Sequence, residues 1–157
     1  MREGDIIFQR QIDRRQMLDI RLLGPNDMDV LSHVAPEVFD DPIVLPTALE
    51  FLNDPRHRLV VAMDERVVVG FISAVIYIHP DKAKPELWIN EAGVSPSHQG
   101  QGIGKMLLRR MLETGQQVGC SEAWVLTERT NDAAIGLYRS LHGIEEVPDP
   151  VMFTFKL

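Results

Sequence analysis

Leu18-Asp19-Ile20-Arg21-Leu22 alternates apolar with charged residues, the two-residue period of a half-buried strand. Gly24-Pro25-Asn26-Asp27 supplies turn and helix-start signals, which predict a helix running to about Val38. Asp40-Asp41-Pro42 breaks it, and Pro46-Thr47 opens a second, short helix toward Asn53. Two β-rich runs follow, Arg58 to Met63 and Val67 to Ile78, joined by Asp64-Glu65-Arg66 as a hairpin connection. After the polar loop Pro80 to Pro85, Glu86 to Val94 reads as a third strand. Adjacent Asn90 and Glu91 interrupt its alternation, which predicts a bulge. Ile103, Leu107 and Met111 recur every four residues while Lys105, Arg109 and Glu113 hold another face, the pattern of an amphipathic helix. Ala123 to Leu126 reads as a buried strand. Asn131-Asp132 caps a last helix with Ala134, Leu137, Tyr138 and Leu141 on one stripe, and Val151 to Leu157 reads as a closing strand.

With 157 residues, 45% of them hydrophobic and 25% charged, the chain has the material for one globular domain with a substantial core. Residues 1–16 carry mixed charge without period and are set apart as an N-terminal extension, leaving residues 17–157 as the domain. No apolar run approaches the roughly 18 residues that span a bilayer, and the start of the chain lacks a signal core, so a cytoplasmic protein without membrane contact is expected. One cysteine, Cys120, excludes an internal disulfide framework. The scattered His33, His57, His79, His98 and His142 lack zinc-site spacing, so no metal is expected. Between Gly24 and Pro55 stand Asp27, Asp29, Glu37, Asp40, Asp41, Glu50 and Asp54 with no Lys or Arg, which accounts for the whole net charge of −7. Such a segment repels nucleic acid and concentrates cationic ligands; a solvated, solubilising face is the plainer alternative.

The chemistry-bearing pattern is the strand ending at Val94, then Ser95-Pro96-Ser97-His98, then Gln99-Gly100-Gln101-Gly102-Ile103-Gly104, then the helix. Glycines let consecutive N–H groups converge on an anion, and a helix N-terminus adds partial positive charge, so a diphosphate suits the place. A Walker loop is excluded because no Gly-Lys-Ser or Gly-Lys-Thr is present. A Rossmann turn fits poorly, although Glu128 falls where a ribose-binding acid would sit. The spacing is GxGxG, and five residues separate it from the strand.

Val94-x-Pro96-x-x-Gln99-Gly100-x-Gly102-x-Gly104 resembles the signature of the GNAT N-acetyltransferase superfamily, and Asn131-x-x-Ala134-x-x-Leu137-Tyr138 resembles its second motif. The resemblance covers about residues 17–157. It implies a mixed α/β fold whose central, mostly antiparallel, twisted sheet splays in the middle and is flanked by helices. It also implies acetyl-CoA as co-substrate, its thioester lying against Glu91 to Val94, and a homodimer. Cofactor contacts are then expected from Gly93, Val94, Gln99, Gly100, Gln101, Gly102, Ile103, Gly104, Lys105, Asn131, Ala134 and Tyr138. Within the superfamily the chain resembles aminoglycoside 3-N-acetyltransferases, in the Glu86 to Glu91 strand, the Leu137-Tyr138 to Glu146 stretch and the acidic Asp40-Asp41 loop. It departs from the usual Tyr-x-x-Leu-Gly by the extra His142.

Acetyl transfer to an amine needs a free lone pair, a stabilised oxyanion and a proton for the thiolate. Glu91 is the candidate base, or else a carboxylate that binds the cation electrostatically. A backbone N–H near Gly93 or Val94 is the oxyanion donor that the resemblance implies. Tyr138, protonated at neutral pH, is the candidate acid. Lys105 and Arg109 face phosphate or pair with Glu113. The expected acceptor is a cationic small-molecule amine, an aminoglycoside held by Asp40, Asp41 and Glu91. The alternatives are a polyamine, a protein N-terminus or lysine, and a non-catalytic module that binds acetyl-CoA.

Overall fold

The computed structural model describes residues 18–146 and 151–157. It divides into two compact units, one through Val125 and one from Leu126, described separately below. The expected extension over residues 1–16 and the expected strand residue Val147 lie outside the described residues.

The first unit is a five-stranded sheet in the order β1-β2-β3-β4-β5, formed by β1 (Leu18–Leu22), β2 (His57–Asp64), β3 (Val67–Tyr77), β4 (Glu86–Val94) and β5 (Ala123–Val125). β1 to β4 run antiparallel, and β5 lies parallel to β4. Helix α2 (Ile103–Gln117) covers one face, burying Ile103, Leu107, Leu108 and Met111. Two strand and helix glycines set how closely it lies: a Cβ on Gly70 would come 3.2 Å from the Ile103 side chain, and one on Gly115 would come 2.9 Å from that of Leu87. The other face, with Leu59, Val61, Met63 and Phe71, is covered by Leu23, Val30, Leu31 and Val38, and by Leu52 of α1 (Leu45–Asn53).

The helix expected from Asp27 to Val38 reduces to a five-residue 3₁₀ turn, Met28–Ser32. Past it the backbone bonds to the sheet: Val68 N–H donates to His33 O and Ala35 N–H to Val68 O, each at 2.8 Å. Pro36 has no N–H to offer a helix, and these sheet bonds take the groups a helix would use. The bulge in β4 is present, with Ser73 opposite Glu91 and Ala74 opposite Ile89, so that Asn90 is the extra residue. β5 is shorter than expected and less buried, with Trp124 37% exposed and stacked on Trp88 at 5.3 Å.

In the second unit, α3 (Asp132–Ser140) begins at Asn131, whose Oδ1 accepts the Ala134 N–H at 3.0 Å. It ends in paired bonds, Gly143 N–H to Tyr138 O and His142 N–H to Arg139 O, both 3.0 Å. That is a Schellman closure with His142 (φ +66°) in the left-handed position usually given to glycine. The extra residue therefore forms the helix cap. Among the described residues, Ile144 to Glu146 of the strand-like Ile144-Glu145-Glu146-Val147, and Val151 to Leu157, expected as a closing strand, are not in strands. Phe153, Phe155 and Leu157 are at least 78% exposed, and an apolar run becomes a strand only where a ladder partner takes its hydrogen bonds.

Candidate active site

The β4–β5 ladder stops at Ile89 opposite Val125, so from Asn90 to Val94 the β5 side of β4 is without that partner. This is the splay expected from the resemblance, and it opens beside the glycine loop. At the loop, Ser95 N–H donates to Val69 O at 2.8 Å, Pro96–His98 form a 3₁₀ turn, and the Gln99 amide donates to Val94 O at 3.0 Å. Gln99 thus ties the loop back to the strand it left. Gly100 (φ +74°) and Gly102 (φ +81°) adopt left-handed backbone with nothing within 4 Å of a would-be Cβ. That conformation favours glycine, and here it leaves open space above the N–H groups.

Gly102 is also the N-cap of α2 and supplies no capping side chain. The first N–H groups of the helix, from Ile103, Gly104 and Lys105, therefore lack a side-chain cap, while Met106 N–H is taken by Gly102 O. Gly100, Gln101, Gly102 and Met106 line a cavity of about 260 Å³ at this point. Uncapped donors, a helix dipole and open space at the two glycines fit a diphosphate. Ile103 anchors the arrangement by burying its side chain to 1% exposure. Of the basic residues proposed for this loop, Lys105 is partly exposed in the first turn and Arg109 is exposed. Glu113 lies 3.9 Å from Arg110 instead of pairing with Arg109.

The bulge decides where Glu91 points. Leu87 faces α2, where Gly115 meets it, and Ile89 shares that face. A regular strand would carry Glu91 to the same side, under the helix. The extra Asn90, its Oδ1 accepting from the Ser73 hydroxyl at 3.0 Å, reverses the alternation. Glu91 and Gly93 then share the face of Ser73 and Phe71, away from α2. On that face lies the segment Val38-Phe39-Asp40. A Cβ on Gly93 would come within 2.3 Å of Val38 O, and Phe39 stacks on Phe71 at 3.9 Å and 22°. Glu37 (φ +59°) turns the chain into this contact, and Val38 is 3% exposed. This brings Asp40 close enough for its charge to act on Glu91. Although Glu91 is an exposed residue, partial burial of its carboxyl raises its pKa above the ordinary Glu value, and the Asp40 charge adds to the rise. Asp41, the next residue after Asp40, is exposed.

The sequence profile of the acetyltransferase (GNAT) family matches residues 27–144. This chain belongs to the GNAT acetyltransferase family. The structure is similar to that of an aminoglycoside acetyltransferase from an uncultured soil metagenomic sample, with TM-score 0.79 and 25% identity, covering 90% of this chain and 97% of that one. In sequence, this GNAT chain is 32% identical over 106 residues to the N-alpha-acetyltransferase RimI of Mycobacterium tuberculosis, covering 66% of the chain and 63% of RimI. It is 36% identical over 81 residues to human N-acetyltransferase 8B, covering 52% of the chain. It spans only 36% of that protein's length, less than two thirds of this curated relative. GNAT acetyltransferases use acetyl-CoA, and the open loop and uncapped helix of this chain suit its diphosphate. Among the described residues, no helix is long and apolar enough to cross a membrane.

Tyr138, Asn131 and Ala134 belong to the second unit. Tyr138 sits half-buried on α3, and burial raises its hydroxyl pKa further above the ordinary tyrosine value, so it remains a proton donor at neutral pH. Arg129 and Arg139 converge on Glu145 at 2.7 and 2.9 Å and lower its carboxyl pKa. The sequence reading missed the docking of Val38 and Phe39 over Gly93. Its signal is a glycine inside a strand, which often marks a close backbone approach.

Proposed function

We propose that this chain is an acetyl-CoA-dependent N-acetyltransferase whose acceptor is a primary amine of a cationic small molecule, an aminoglycoside, acetylated at its 3-N position. The observation that carries this reading is the docking of Val38 and Phe39 over Gly93 and Phe71, which brings the acidic Asp40 segment to the splayed end of β4, where its charge acts on Glu91 next to the glycine loop. Two carboxylates whose charges act on each other attract a polyamine, and the raised pKa of Glu91 makes it a stronger base than an ordinary Glu. In this reading Gln99 to Gly104 hold the diphosphate, and the backbone near Gly93 and Val94 donates to the developing oxyanion. Glu91 accepts the amine proton, Asp40 and Asp41 bind further ammonium groups, and Tyr138 protonates the departing thiolate. Acetyl-CoA supplies the activated acyl group. The similarity to an aminoglycoside acetyltransferase supports the acceptor class.

A second acceptor class, a peptide N-terminus, is favoured by one feature. Met28, Asp29, Ser32, Leu45, Pro46 and Leu49 line a cavity of about 440 Å³, mostly apolar with one carboxylate, which suits a side chain beside an ammonium. Thiol release measured across gentamicin, spermidine, an alanyl peptide and a monoamine separates the readings, and product NMR gives the regiochemistry. Turnover fastest with gentamicin, with kcat roughly 10²-fold lower in Tyr138→Phe and CoA affinity unchanged, is the expected result. Turnover confined to the peptide would move the acceptor to the second class.

A further inference from the structure

A chain of four polar groups lies beside the glycine loop and is unused by the chemistry above. His98 Nε2 is 3.1 Å from Asp64 Oδ2 at the end of β2, His98 Nδ1 is 2.8 Å from Ser97 Oγ, and Ser97 Oγ is 3.2 Å from Ser95 Oγ. Ser95 is 3% exposed, whereas Ser97 is exposed. The donors follow from elimination. A carboxylate only accepts, so the neutral imidazole carries its hydrogen on Nε2 and donates it to Asp64. Nδ1 must then accept, so Ser97 donates to it, and Ser97 Oγ in turn accepts from Ser95. Adding a proton from solvent to Nδ1 reverses the bond to Ser97 alone, since Ser97 Oγ has a second lone pair that still accepts from Ser95. Nδ1–H donates to Ser97, and the Ser97 hydroxyl hydrogen is released for another acceptor. Asp64 keeps its bond in both states and becomes an ion-pair partner in the second.

We propose that His98 is a positioning residue for the cofactor's diphosphate, taking up a proton as the anion binds and freeing the Ser97 hydroxyl as a donor. The inference rests on the diphosphate lying at the Gln99–Gly104 loop. An anion there favours a cation one residue before Gln99, and histidine is the side chain that gains charge most readily between pH 5 and 8. The other charged groups on the elements around the pair are Arg58 of β2, Glu65 and Arg66 of the β2–β3 turn, Asp19 of β1, bound to Arg21 at 2.6 Å, and Lys105, Arg109, Arg110 and Glu113 of α2. Among the described residues Asp64 is the one charged group bonded to the imidazole, so the pair is neutral overall once His98 is protonated.

Calorimetric titration of the full chain with dephospho-CoA near pH 7, in buffers of different ionisation enthalpy, counts the protons taken up; this probe lacks the titrating 3′-phosphate. The parent is expected to take up roughly 0.3 to 0.5 proton, and His98→Gln, which keeps a donor but cannot titrate, close to none. Asp64→Asn should take up less than the parent at the same pH. NMR titration of the histidines in the parent chain, with and without dephospho-CoA, gives the same answer without a variant: the resonance absent from His98→Gln should titrate at higher pH in the complex. Equal proton uptake in parent and His98→Gln, or an unmoved His98 titration, overturns the proposal. Gly102→Val separates its premise. If that variant binds dephospho-CoA as tightly as the parent, the loop assignment has failed; if it binds at least about tenfold more weakly while uptake is unaffected by His98→Gln, only the role of His98 has failed.

Discussion

At the scale of single residues, Glu91 carries the sharpest consequences. Its carboxyl pKa is raised by burial first and by Asp40 second, so the folded chain holds that proton more tightly than the unfolded chain does. Charging Glu91 therefore costs stability. The cost is absent in acid, below the unfolded value, and complete once pH exceeds the folded value. Glu91→Gln should melt with the parent at acid pH and above it at neutral pH, as calorimetry would read; coincident melts at both pH values would show that the folded state leaves this carboxyl unperturbed. Activity distinguishes its two possible roles. If Glu91 is the base, kcat/KM for the parent rises with pH on a limb above the usual Glu range of about 4.3, and Glu91→Gln loses kcat and the limb together. If it only binds the cation, KM rises and kcat holds.

At the scale of elements, the site depends on how β4 is deformed and what lies on it. The segment from His33 to Asp40 bonds to β3 at Val68, turns at Glu37, and rests its Val38 carbonyl where Gly93 has no side chain. Gly93→Ala puts a Cβ 2.3 Å from that carbonyl, a backbone atom that must move. The expected cost is about 1–3 kcal/mol of stability, with Asp40 displaced from Glu91. The acceptor KM should rise severalfold in Gly93→Ala, while calorimetric affinity for CoA at the loop changes little. A variant with the parent's melting temperature and KM would show that the segment does not set the acceptor site. Phe39 stacked on Phe71 gives the same segment a second hold on the sheet.

At the scale of the whole molecule, the seven acids between Gly24 and Pro55 carry a charge equal to the net −7, and the fold brings part of that segment to the splay. Exposed carboxylates act through screened Coulomb attraction, with a Debye length of about 30 Å at 0.01 M salt and 8 Å at 0.15 M. The KM for gentamicin should therefore rise severalfold over that range, and Asp40→Asn with Asp41→Asn should remove most of the change. A monoamine acceptor should respond far less. A salt-independent KM for gentamicin would leave the segment as a solubilising face. Much of this was legible in the chain itself. Local periodicity and turn chemistry determined β1 to β4, α2 and α3, the bulge at Asn90, the Asn131 cap and the glycine loop, because each is written in residues close together in sequence. Three outcomes needed tertiary contacts. Residues 33–35 left the expected helix because β3 offered hydrogen-bond partners, and Val151 to Leu157 is not in a strand because, among the described residues, none forms a ladder with it. The charge of Asp40 came to act on Glu91, 51 positions further on, because the Asn90 bulge turned Glu91 away from α2 and Gly93 made room for Val38. Side-chain alternation along a strand is a local property, but which face is open depends on what the rest of the chain lays against it.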